Sequence, residues 1–102
     1  MTYDDLRAQI QALPPTTFFT PRGLATLFRQ PLPRVDAAVA EAVAQGILAE
    51  DALWLCPRCS HVLAAQAEPP RALPVCEFCD AALAGWTDAD WMTVRRPRYR
   101  LA

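Results

Sequence analysis

No apolar run in the chain approaches the roughly 20 residues that a helix needs to cross a bilayer, so no membrane span is expected. The start, Met1-Thr-Tyr-Asp-Asp, is acidic and does not read as a secretory leader, which argues against an oxidising compartment. There is one histidine, His61, and no nucleophile, base or open metal in a recognisable catalytic constellation. Asp88 and Asp90 lie near one another, but on a short polar turn and without an evident partner. An enzyme, and hence a small-molecule substrate, is not expected. Internal repeats and low-complexity segments are missing as well. Large apolar side chains are scarce: 54 of the 102 residues are hydrophobic, but 19 of these are alanine. The core is therefore thin, enough for one domain or two very small ones.

A basic excess is missing too. The net charge is −1, distributed as −2 over residues 1–55, −3 over 56–94 and +4 over the last eight. A domain that works by neutralising phosphates is usually basic.

The four cysteines form two pairs, Cys56-Pro-Arg-Cys59 and Cys76-Glu-Phe-Cys79, with sixteen residues between them. Two thiolates three positions apart in a tight turn can bind one metal from the same side. A second such turn, brought back by the connecting loop, completes a tetrahedron of soft ligands, and this spacing reads as a zinc site. Disulfides and a rubredoxin-like iron site are the competing readings, although Ser60 and Asp80 stand where iron knuckles usually have glycine. One Zn²⁺ per chain held by Cys56, Cys59, Cys76 and Cys79 is expected. With no open position, its role would be structural. His61 could replace a cysteine, sit behind the ligands, or have no metal role. Reduced cysteines and the acidic start place the expected location in the cytoplasm.

Along the chain, Thr2 and Asp5 fit a capping box for a helix carrying Leu6, Ile10 and Leu13, stopped by Pro14-Pro15. Thr16–Phe19 suits a short strand. Thr20-Pro21 then opens a second helix with Leu24, Leu27 and Phe28 on its apolar face. A third begins near Pro33 and carries the stripe Val35, Ala38, Val39, Ala42 and Val43, ending at Gly46. Ile47–Ala49 and Ala52–Leu55 read as strands joined by a turn at Glu50-Asp51. Farther on, His61–Ala64 reads as a strand and Thr87 as the cap of one helical turn. Met92–Arg95 reads as a last strand, and Arg96–Leu101 as an extended tail.

Helix, strand, helix, turn, helix, hairpin is the order of a winged helix, which residues 20–48 resemble. The expected fold class is α+β: a winged helix-turn-helix over 1–55, followed by a four-cysteine zinc ribbon with an Arg-rich strand or tail over 56–102. The ribbon could also be inserted in the wing. In architecture this resembles the archaeal and eukaryotic transcription initiation factor E alpha subunit, and small bacterial winged-helix regulators. The chain is shorter and lacks an interdomain linker, so no functional residue is carried over. The resemblance implies a setting among nucleic-acid machinery, where winged helices bind DNA or protein.

The residues off the Val stripe separate those two roles. A DNA reader offers Arg, Lys, Asn or Gln to base edges from this helix. Here Arg34 is followed by Asp36, Ala37, Ala40, Glu41 and Ala44, and the wing tip would be Glu50-Asp51. Carboxylates repel phosphate, whereas small side chains allow close approach by another protein. Arg34, Asp36, Ala37, Ala40, Glu41 and Ala44 are thus the candidate docking face. Arg95, Arg96, Arg98 and Arg100 are candidate contacts for nucleic acid or an acidic partner. Trp54, Trp86 and Trp91 are expected to pack the ribbon against the winged helix. The expected function is an accessory subunit that docks proteins in an assembly associated with nucleic acid. The alternative is a DNA-binding transcriptional regulator.

Overall fold

Thr2 starts helix α1 (Tyr3–Gln11) with a complete capping box: its hydroxyl accepts the Asp5 N–H, and the Asp5 carboxylate accepts the Thr2 N–H, each at 3.1 Å. The computed structural model describes residues 1–102. Helix α2 (Pro21–Phe28) has Thr20 as its N-cap, which accepts from Gly23, and proline in its first turn. It ends at Arg29 in the left-handed region (φ 54°). Helix α3 spans Leu32–Ala44. Strands β1 (Leu48–Leu55), β2 (Val62–Ala65) and β3 (Arg95–Leu101) and helix α4 (Asp88–Met92) complete a mixed α+β fold. The three strands form an antiparallel sheet in the order β2-β1-β3. No helix is long and apolar enough to cross a membrane.

The chain divides into two compact units, Met1–Glu50 with Arg98–Ala102, and Asp51–Pro97. The sequence reading divided it at 55/56. In the first unit the helical periodicities set the core: Leu6, Ile10, Leu24, Val35, Ala38, Val39, Ala42 and Leu48 are buried together. Each large member is worth about 1.5–3 kcal/mol in burial. Leu27 is a correction. It is 64% exposed, and Ala25 takes its place beside Leu24 and Phe28 on the inner face. The strand expected over Thr16–Phe19 is a single bridge, in which Phe19 and Tyr99 exchange two 2.8 Å hydrogen bonds.

Two further corrections concern the strands. The hairpin expected at Glu50-Asp51 does not exist, because β1 runs unbroken through both residues. Acidic residues are poor strand formers in isolation, but here the strand is central and Glu50 accepts from the Tyr99 hydroxyl at 3.3 Å. The Arg-rich tail is strand β3, and Met92 belongs to α4. Pro97 lies within this strand. It is tolerated because β3 lies at the sheet edge, where a missing N–H costs no pairing.

The second unit has its own apolar cluster of Ala52, Trp54, Leu83, Trp91 and Val94, flanked by Leu63, Ala64, Leu73 and Trp86. Trp91 meets both other tryptophans edge-on, at centroid distances of 6.3 Å to Trp54 and 4.9 Å to Trp86. The Trp54 indole donates to the Gln66 carbonyl at 2.9 Å. The sequence suggested a seam between two halves, yet the cluster draws every member from one unit. Thr87 caps α4 as expected, with Asp90 closing its capping box. Asp88 and Asp90 are not partnerless. Arg71 donates to Asp88 at 2.8 Å, and Asp90 accepts from Thr87.

Candidate metal centre

Cys56 directly follows β1, and Cys59 lies one tight turn later. The Cys56 N–H donates to the His61 carbonyl at 2.8 Å, and Ser60 N–H donates to the Cys56 carbonyl at 2.9 Å. The second turn repeats the pattern: Cys76 donates to Ala81 and Asp80 donates to Cys76, both at 3.0 Å. A bridge between Val75 and Ala82 closes its base. The two knuckles therefore share one backbone design.

That design explains what stands in place of glycine. Ser60 and Asp80 have φ of 63° and 59°, the left-handed region that penalises a side chain. The geometry a knuckle needs is present without glycine. Because Ser60 carries this strain, Ser60→Gly should stabilise the folded protein by about 1 kcal/mol, the usual left-handed penalty less glycine's extra chain entropy. Thermal denaturation of the two proteins with metal supplied in excess checks this. An unchanged or lower melting temperature would contradict the strain argument.

The turns bring all four Sγ atoms within 4.8 Å of one another. Cys56 and Cys79 are 3.5 Å apart, and Cys59 and Cys76 are 3.7 Å apart. All four are free thiols, since a disulfide requires about 2.05 Å. In a tetrahedron with metal–sulfur bonds of about 2.3 Å, sulfur–sulfur edges are close to 3.8 Å. The four cysteines thus cluster at metal-binding geometry. Cys56 and Cys76 are buried, Cys79 is half-buried and Cys59 is exposed.

The electrostatics are those of groups competing to hold charge. Burial would raise the Cys56 thiol, but the N–H groups of Cys59 and Arg58 and the neighbouring thiols bring it down to about 6. At Cys79 the Ala81 N–H favours the thiolate, yet burial and the three other thiols push it up to about 12. Cys59 is also raised: the His61 N–H favours its thiolate, but burial and the Cys56 and Cys76 thiols outweigh it. A divalent cation among the four would remove this conflict, because a coordinated thiol is held deprotonated.

His61 is not among the clustered ligands. Its ring stacks on Phe78 with centroids 3.8 Å apart, joining the two knuckles outside the sulfur cluster. Val62 and Val75, each 42% exposed, line a groove of about 50 Å³ with His61, Leu63, Leu73 and Glu77. Pockets for drug-sized ligands start near 300 Å³. Nothing in the spacing of Phe78 announced its stack, since the contact depends on how the knuckles face each other.

The candidate docking residues are all on α3, but they are not equivalent. Asp36, Ala37, Ala40 and Ala44 are exposed. Arg34 donates to Gln30 at 3.2 Å. Glu41 accepts from the Tyr3 hydroxyl and from Gln45, and pairs with Arg7 at 3.5 Å. Glu41 therefore ties α1 to α3. Among the arginines, Arg96 and Arg100 are exposed, while Arg95 and Arg98 are half-buried. Phe18, absent from the sequence-derived candidates, lies under Arg98 and Arg100 at 3.6 Å and 5.4 Å from its ring centroid. Alternation of arginine at 96, 98 and 100 was the available signal, once that stretch is read as a strand.

In comparisons with known proteins, the chain matches no family model, no curated protein and no solved structure.

Proposed function

We propose that the chain is a zinc-stabilised winged-helix module, with the zinc ribbon inserted between the two strands of its wing. It docks other proteins as an accessory subunit of an assembly working on or around nucleic acid. Three helices followed by the strands β1 and β3, with the thiol cluster on the 39 residues (56–94) that separate those strands in sequence, support the architectural part. Four clustered thiols and no fourth-position vacancy support a structural Zn²⁺.

The observation that carries the docking role is the outer face of α3. Ala37, Ala40 and Ala44 are exposed in one line beside Asp36, while Val35, Ala38, Val39 and Ala42 are buried. The side chains that could read base edges are few, and Arg34 is engaged with Gln30. A smooth, partly acidic helix face suits a protein better than the major groove.

Ala40→Arg is the test. An exposed helix position accepts arginine at a few tenths of a kcal/mol, so the melting temperature should change little. Affinity capture from the native host should then lose the partner that the parent protein retains. Capture of the same partner by both proteins would remove α3 as the docking face. A selection on random duplexes that converges on one high-affinity motif would favour the transcriptional-regulator reading instead.

A further inference from the structure

One edge of the sheet is open. In the order β2-β1-β3, β2 is an outer strand, and Val62–Ala65 carries neither a charge nor a proline that would blunt it. Ala52 and Gln66 exchange both backbone hydrogen bonds, and bonded and unbonded pairs alternate along an antiparallel ladder. Ala65, opposite Leu53, therefore turns its N–H and C=O away from β1. Val75, on the second knuckle, is placed in the same way. Its bridge to Ala82 is flanked by bonds from the Cys76 N–H to Ala81 and from the Leu83 N–H to Pro74. The N–H and C=O of Val75 itself thus point outward and meet no backbone partner. Val75 also lines the small groove, with His61, Val62, Leu63, Leu73 and Glu77. All of these residues belong to Asp51–Pro97.

We propose that the groove between β2 and residues 73–77 takes an extended peptide segment, added as a strand, with a basic residue two positions from a small aliphatic one. Unpaired N–H and C=O groups at a strand edge are matched by another extended backbone. The groove, about 50 Å³ beside the exposed Val62 and Val75, accepts one small apolar side chain. Side chains two apart on a strand share a face, so the next one on that side meets the rim of the groove. Glu77 is the one charged residue lining it, exposed and in no ion pair. Charge selects the occupant. Asp51–Pro97 has six acidic residues against four arginines, a net of −2. A zinc ion on four thiolates would add about −2 more. That field favours a basic segment and repels nucleic acid. A second copy pairing β2 with β2 would set two acidic units against each other. The site is distinct from the α3 face and depends on the metal only through the fold of the knuckles.

Fluorescence anisotropy of the full, metal-loaded chain tests this with a labelled peptide of about eight residues, the length of one strand. In the peptide, valine and arginine take turns at every second position, with threonine between them. The metal content of each protein is measured alongside, so a failed knuckle is told apart from a failed site. The peptide should bind, and Glu77→Gln should weaken it about 2- to 5-fold, the worth of an exposed ion pair. Added salt should weaken binding to the parent more than to this variant. N-methylation of the peptide backbone at alternate residues should weaken binding about 10-fold or more in at least one of the two registers, since it removes donors to the edge. Val62→Lys, a charge of the kind that guards open edges, should do the same. Circular dichroism confirms folding, and the changes made in the peptide keep the test decisive if a variant unfolds. Four results would overturn the proposal. They are no binding at low salt, equal binding of a peptide with glutamate for arginine, no loss from N-methylation in either register, and a chain that sediments as a dimer until Val62→Lys separates it. The last would assign the edge to a second copy. Ala40→Arg should leave the peptide affinity unchanged, so this site and the α3 face fail separately.

Discussion

Stripping the metal, or replacing Cys76 by serine, should disorder the two knuckles while α1, α2 and α3 persist. The first core draws all its buried members from Met1–Glu50, so its helices do not depend on the thiol cluster. The knuckles have little else to hold them. Their backbone ladders amount to two hydrogen bonds each, and their packing outside the sulfurs includes the His61–Phe78 stack. Structural Zn²⁺ contributes on the order of 10 kcal/mol in zinc-finger peptides, far above what such contacts replace. Chelation should therefore leave most of the far-ultraviolet helix signal, make the cysteines fully reactive to thiol reagents, and shift tryptophan emission to the red. A Cys76→Ser protein as stable and as thiol-protected as the parent would count against the metal's structural role.

The second large effect is expected at Trp91. It is 1% exposed and meets Trp54 and Trp86 edge-on, so it links every aromatic ring of the second core. Trp91→Ala removes a large buried side chain and two aromatic pairs. Its cost should be about 3–5 kcal/mol, the range for such truncations. Trp86→Ala, at a half-buried ring, should cost clearly less. Denaturant titrations with metal present measure both. A Trp91→Ala loss no larger than that of Trp86→Ala would mean that the cluster is not the core of this unit. The comparison also separates the two supports of Asp51–Pro97, since metal excess cannot compensate for a lost tryptophan.

Much of the helical part was legible because its signals are local. Thr2 with Asp5, Thr20 with Pro21 and Thr87 with Asp90 each declare a helix start within four residues, and all three helices begin there. The Val35–Val43 stripe gave the buried face of α3 for the same reason. The clustering of the four thiols was legible because the spacing of two thiol pairs is a geometric statement. Pairing between distant segments was not. Glu50-Asp51 looks like a turn in isolation, and only the flanking strands make it the middle of β1. Arg96–Leu101 looks like a tail until Tyr99 pairs with Phe19, eighty residues earlier. Leu27 shows the limit of periodicity. Three apolar residues in one helix allow two faces, and packing chose the one with Leu24 and Phe28.

The claim on which the rest depends is that four thiolates, and nothing else, close one zinc site. X-ray absorption at the zinc edge, on protein purified without chelator and with the metal content measured in the same sample, tests it directly. One zinc per chain with four sulfur neighbours at about 2.3 Å is the predicted result. A shell of three sulfurs and one nitrogen would give His61 a ligand role in place of a cysteine. Iron in place of zinc, or less than half an equivalent of any metal, would contradict the account.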